Sequence, residues 1–269
     1  MKYPIIFLLI LASFQLIGQA PGFSKTYSFE PEMLSDAFVN ISVDNDTLVM
    51  FGSATPAAAP IPQLLFFVKM DTNGNVLLQK THTDTEMAEF AVSSGFDIIK
   101  TSDGGYAIAG ANYDTQKGVL VKLTHEGDLE FYKKYDPSPH FLYHTRTVLE
   151  LDDGFLLSGY KQTQNYDLNV LLIKTDKQGN YLWEKTFGQQ GLVDVGGSLI
   201  KINDNHFAIG ATEGTNLSAG PPFPSTVYSR SVLWEVDSIG SVLAVTKSPK
   251  NEQIGIGGLQ RINTIKLSR

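Results

Sequence analysis

The 269-residue sequence predicts an all-β chain, a β-propeller of four-stranded antiparallel blades with four full blades and a partial fifth. Three observations predict it. Two strand–turn–strand cassettes recur at a period of roughly fifty residues, and such a period defines a repeat architecture before any other reading applies. Each cassette carries the residues that tight turns demand. A lone four-stranded meander buries too little to offset its ordering entropy, so the repeats must cover one another's faces.

Residues 1–20 hold one charge, Lys2, then an apolar run over 5–17 and the small residues Gly18 and Ala20. That order is the layout of a secretory signal, and the run is short for a membrane span. The expected mature domain is therefore 21–269, exported to the periplasm, the cell surface or the medium. The formal charge is −7, and loss of Lys2 makes it one unit more negative, which argues against nucleic acid or an anionic membrane as partner. With no cysteine, disulfides, thiolate metal sites and a thiol nucleophile are excluded, and packing must hold the fold.

The first cassette is a strand, a polar turn and a strand ending in glycine. It occurs at 41–52 (ISVDNDTLVMFG), 98–110 (IIKTSDGGYAIAG), 148–159 (VLELDDGFLLSG) and 199–210 (LIKINDNHFAIG), with closing glycines 58, 49 and 51 residues apart. The second is an apolar strand, a turn ending in glycine, and another strand. It occurs at 67–80 (FVKMDTNGNVLLQK), 120–133 (LVKLTHEGDLEFYK), 172–185 (LIKTDKQGNYLWEK) and 233–246 (LWEVDSIGSVLAVT), with turn glycines 53, 52 and 61 apart. The repeats span roughly 37–88, 89–140, 141–191 and 192–252. Residues 253–269 together with 23–29, where FSKTY resembles WEKTF at 183–187, are expected to form the partial fifth, either an abbreviated blade or the remnant of a longer chain.

Small residues beside the closing glycines, such as Ala109-Gly110-Ala111 and Ser158-Gly159, predict close backbone approach. Four places after each turn glycine stands Leu78, Phe131, Trp183 or Ala244, a position suited to a plug between blades, with the Ala244 blade the weakest.

At Asp103–Gly110 and Lys174–Phe187 the chain resembles secreted bacterial β-propeller repeat proteins whose repeats read DGGY-x-x-x-G and K-x-D-x-x-G-x-x-x-W-x-K-x-F. The D-x-x-G-x-x-x-W part is also distantly similar to quinoprotein-like propeller blades. Thr124 replaces the usual Asp in the second repeat, and only the third keeps Trp183. The resemblance implies the fold and export; it does not imply a ligand.

Antiparallel order puts the short repetitive turns on one rim and the long divergent connections on the other, and variable loops on a rigid scaffold are where binding resides. The divergent rim offers Asp84, Glu86, His140, His144, Arg146, Tyr166, Asp194, Phe223 and Tyr228 as candidate ligand contacts. The acids there need be no more than a solvated loop. His140 and His144 have metal-like spacing only in a helix, which Pro137 and Pro139 discourage, so no metal is expected. The Asp-x-x-Gly turns offer too few carboxylates for calcium. No cofactor and no catalytic set is expected: Ser102-Asp103-Gly104-Gly105 lacks the sialidase spacing, and two tryptophans are too few for a quinone floor.

The expectation is thus a non-catalytic binding scaffold for a polypeptide or glycan. The alternatives are an extracellular polysaccharide-active enzyme using Asp84, Glu86 and Asp194, or a fragment of a longer repeat protein.

Overall fold

The structure is a computed structural model that describes residues 27, 33–56, 64–82, 90–91, 97–112, 115–136, 142–162, 167–189, 192–217, 225–249 and 251–252. Among these residues there are strands and turns and no helix, and the strands are arranged as antiparallel meanders. The first meander contains β1 (Met33–Asp44), β2 (Thr47–Pro56), β3 (Leu64–Asp71) and β4 (Val76–His82). The second contains β5 (Phe90–Ala91), β6 (Ile98–Lys100), β7 (Tyr106–Asn112), β8 (Lys117–Leu123) and β9 (Leu129–Tyr135), with β5 and β6 both paired to β7. The third contains β10 (Tyr143–Leu151), β11 (Gly154–Gln162), β12 (Leu168–Thr175) and β13 (Tyr181–Phe187). The fourth contains β14 (Leu192–Asn203), β15 (His206–Leu217), β16 (Ser225–Asp237), β17 (Val242–Lys247) and β18 (Asn251–Glu252), the last two both paired to β16. One parallel pair, Leu168 with Val193, joins the third and fourth into a nine-stranded mixed sheet.

Consecutive meanders stack face to face. Phe51, Leu65 and Phe67 of the first pack on Tyr106, Ile108 and Val121 of the second. Leu120 and Ala109 of the second pack on Val148, Leu157 and Leu171 of the third. Leu156, Leu172 and Phe187 of the third pack on Phe207, Val232 and Trp234 of the fourth. Neighbouring residues of one strand enter different interfaces: Ile108 faces the first meander while Ala107 and Ala109 face the third. Both faces of the inner strands are covered, which is why β7 and β12 read as apolar runs rather than as alternating sequence. The leading strands also touch in series, β1 with β6, β6 with β10 and β10 with β14. The strands β4, β13 and β17 each pair with one neighbour only and leave Leu77, Leu182 and Leu243 exposed.

The turn cassette has one local cause. Asp71, Asp176 and Asp237 each accept two backbone N–H groups across the turn, at 2.7–3.0 Å. Thr124 fills the same place in the second meander by accepting Asp128 N–H at 3.0 Å, so its departure from the Asp pattern keeps the turn. The glycine three places on has φ of 72 to 78° in all four copies, a conformation that costs other residues about 1 kcal/mol or more.

The same turns receive the preceding meander. Gly179 lies against the Phe131 ring and Gly240 against the Trp183 ring, which is the plug position expected from sequence. Lys133 donates to Asn180 at 3.1 Å, and Lys80 pairs with Asp128 one meander earlier. Tyr135 donates to the carbonyl of Gly179 at 2.8 Å. Tyr27 makes the equivalent bond to the carbonyl of Gly74 at 2.7 Å, beside the far face of the first meander formed by Met50, Phe66 and Val68. In the fourth meander Ala244, Thr246 and Ser248 replace the plug, the lysine and the aromatic, so this series stops there. Tyr27→Phe and Tyr135→Phe should each lower stability by about 1 kcal/mol in urea unfolding. A silent Tyr27→Phe beside a costly Tyr135→Phe would separate the two contacts.

Candidate functional site

The end of the meanders opposite the tight turns carries the divergent connections, and β10 begins there. Its register against β11 shifts between Thr145 and Thr147, so Arg146 is the extra residue of a β-bulge. Bulges occur at nearly the same place in β1, between Phe38 and Asn40, and in β14, between Gly196 and Ser198. A bulge turns its extra residue away from the regular alternation. The facing glycine is required: a Cβ on Gly159 would sit 1.9 Å from the carbonyl oxygen of His144.

Around this bulge His144, Tyr160 and Arg146 form one group. His144 Nδ1 lies 3.1 Å from the Tyr160 hydroxyl, and the two rings are 5.3 Å apart. The Arg146 guanidinium stands 4.8 Å above the centre of the Tyr160 ring and donates to its hydroxyl at 3.4 Å. His144 is 4% exposed; burial, then the Arg146 charge, push its pKa down to about 4, so it is neutral at pH 7. Among the described residues no carboxylate pairs with Arg146, and its buried Nε has no acceptor.

A second group lies where the third meander meets the fourth. Asp194 on β14 pairs with Glu213 on β15, and Glu213 with Arg230 on β16. Glu213 is 1% exposed and is held by Arg230 Nε at 2.6 Å and Lys247 Nζ at 2.6 Å. Asp194 is fully buried and accepts the Gln189 backbone N–H at 3.0 Å, while its other oxygen has no partner among the described residues. Burial, with a smaller push from Glu213, raises its pKa to about 6. A carboxyl raised from 3.8 to about 6 on folding adds stability below pH 4 that is lost as pH rises through 6. His144 has the opposite sign, losing stability as pH falls from 6.5 through 4. Asp194→Asn keeps the acceptor and removes the titration. It should match the native protein at pH 4 and exceed it by on the order of 2 kcal/mol at pH 8. The His144 slope cancels in that difference, and a variant no more stable at pH 8 would show that Asp194 is ionised in the fold without cost.

Of the residues predicted from sequence, the structure therefore brings His144 and Arg146 together and places Asp194 apart, beneath the surface. Tyr228 lies on β16, where it pairs with Glu252 of β18. Asp84, Glu86, His140, Tyr166 and Phe223 lie outside the described residues, as do the expected leader over 1–20 and the segment 253–269.

Sequence reading missed three features. Tyr160 closes the first group and Glu213 the second, and neither stands in a divergent loop. Asp97 precedes β6 and accepts Asn40 Nδ2 at 3.4 Å and the N–H groups of Ile98 and Val148, tying three leading strands together; burial raises its pKa to about 6. At the turn end an open groove of about 370 Å³ separates the third and fourth meanders, floored by Trp183 and Leu182 and edged by Asp152, Lys201, Asp204 and Ile239.

Among the described residues no group of three or more His, Asp or Glu is placed to hold a metal ion, and no helix is long and apolar enough to cross a membrane. The chain matches no family model and no curated protein.

Proposed function

We propose that this chain is an exported, non-catalytic interaction scaffold of the secreted bacterial propeller-repeat kind. It is read as a β-propeller of four full blades, with 253–269 and 23–29 forming a partial fifth. Its divergent rim binds a polypeptide or a glycan. One contrast carries the reading: contacts at the turn end repeat from meander to meander, as Lys80–Asp128 with Lys133–Asn180 and Tyr27–Gly74 with Tyr135–Gly179, whereas under the other end the third meander holds His144, Tyr160 and Arg146 and the fourth holds Asp194, Glu213 and Arg230. A constant end maintains a scaffold and a variable end selects a partner. Serial contact of the leading strands and burial of both faces of the inner strands support the radial arrangement.

The ionisable groups of the variable end support binding over catalysis. Glu213 is neutralised by two cations, His144 is buried against Tyr160, and Asp194 is sealed from solvent. A Phe223→Ala, Tyr228→Ala double variant should lose at least tenfold in retention of whatever partner the native protein captures from its own host's secreted fraction. Unchanged retention of every partner would remove the binding rim from the β15–β16 connection and the start of β16.

A further inference from the structure

We propose that Arg146 seats an isolated carboxylate of the ligand, specifically the C-terminal carboxylate of a polypeptide. This rests on the divergent end being the binding end, and it names the chemistry recognised there. Arg230 is satisfied by Glu213, at 2.6 Å from Nε. Arg146 differs from it at every point. It is the extra residue of the β10 bulge, and its guanidinium carbon stands over the Tyr160 ring, 4.8 Å from the ring centre. Among the described residues its one hydrogen bond is a long one of 3.4 Å to the Tyr160 hydroxyl, and its buried Nε meets no acceptor.

A guanidinium offers a planar fork of N–H donors that matches a carboxylate with two parallel bonds. Contact with the Tyr160 ring and hydroxyl restricts the fork in advance, so less ordering is required on binding. The neighbouring His144 is neutral and buried with its Nδ1 against the Tyr160 hydroxyl; it adds no second charge. Among the described residues the seat is therefore a single cation, suited to a single negative group. The formal charge of −7 repels an extended polyanion such as an acidic polysaccharide but admits one carboxylate at a chain end.

The test reads the Arg146 Nε–H resonance of the full chain by NMR at constant ionic strength. Three probes are used: an N-acetylated tripeptide with a free C-terminus, the same peptide as its C-terminal amide, and sodium galacturonate. The free acid should shift the resonance saturably, and the amide should bind at least tenfold more weakly. Arg146→Gln, followed through the Tyr160 ring signals, should lose the response, and Arg146→Lys should bind more weakly than the native chain. Equal shifts from acid and amide would overturn the carboxylate seat without reliance on any variant. Galacturonate binding as tightly as the peptide would overturn the commitment to a polypeptide. This titration needs no natural partner, so a failed loop double variant with a positive titration contradicts only the broader reading.

Discussion

Gly159→Ala should destabilise the protein by more than about 3 kcal/mol, the largest loss among the glycine variants. The added Cβ would lie 1.9 Å from the carbonyl oxygen of His144, 2.8 Å from its carbon and 2.9 Å from Thr145 Cα, all backbone atoms of the bulged strand. No side chain can swing away, so β10 and β11 must separate where the third meander meets its neighbours. Gly52 stands in the same relation to Ala37, with 1.9 Å to its oxygen. Two glycines serve as controls. Gly197 has nothing within 4 Å of its added Cβ, and Gly104 has open space but a φ of +87°. Gly197→Ala should be nearly neutral, and Gly104→Ala should cost about 1–2 kcal/mol from backbone conformation alone. Urea unfolding of the set checks the order, and a tolerated Gly159→Ala would remove the bulge as a fixed feature.

The second large effect is at Glu213. Glu213→Ala leaves Arg230 and Lys247 without their shared carboxylate in an interface where Glu213 is 1% exposed, and breaking a buried pair in this way costs about 3–5 kcal/mol. Its cross-strand neighbour Asp194 changes stability in the opposite direction when neutralised above pH 6. Two adjacent carboxylates with opposite mutational signs distinguish a compensated charge from an uncompensated one. A loss under about 1 kcal/mol for Glu213→Ala would mean that the cluster is solvated and behaves as a surface pair.

The meander pattern was legible because it is local. Turn glycines, Asp caps and apolar strands are each set within a dozen residues, and the structure places β3–β4, β8–β9, β12–β13 and β16–β17 on the second cassette. The plug was legible for the same reason: Phe131 and Trp183 stand at fixed distance from their own turn glycines and meet the next ones. The reason for the closing glycines was only half legible. Their small neighbours indicated close approach, but the β10 bulge that makes Gly159 indispensable depends on a one-residue shift in pairing that no local pattern records.

The site was legible in residue choice more than in role. His144 and Asp194 read as entry-loop residues because the strands they begin have no sharp sequence boundary. Their burial depends on the neighbouring meander, which spacing along the chain does not reveal. Arg146 stood out as a charge at the variable end; that Tyr160 lies under it follows only from the β10–β11 register. Asp97 is an acid before a strand in the sequence, and its ties to Asn40 and Val148 require three leading strands to meet.

The proposed propeller sets the four full meanders and the partial fifth around one axis. Leu77, Leu182 and Leu243 stand three residues after the turn glycines of the first, third and fourth meanders and are exposed. The chain has no cysteine, so spin labels can be placed singly at these points by substitution. In a ring of five, the first position is two steps from the third in one direction and two steps from the fourth in the other. Pulsed electron-spin distances for the 77–182 and 77–243 pairs should therefore agree to within a few ångströms. A 77–243 distance longer than 77–182 by about 10 Å, the spacing of one packed sheet, would mean that the meanders form an open stack and would contradict the ring.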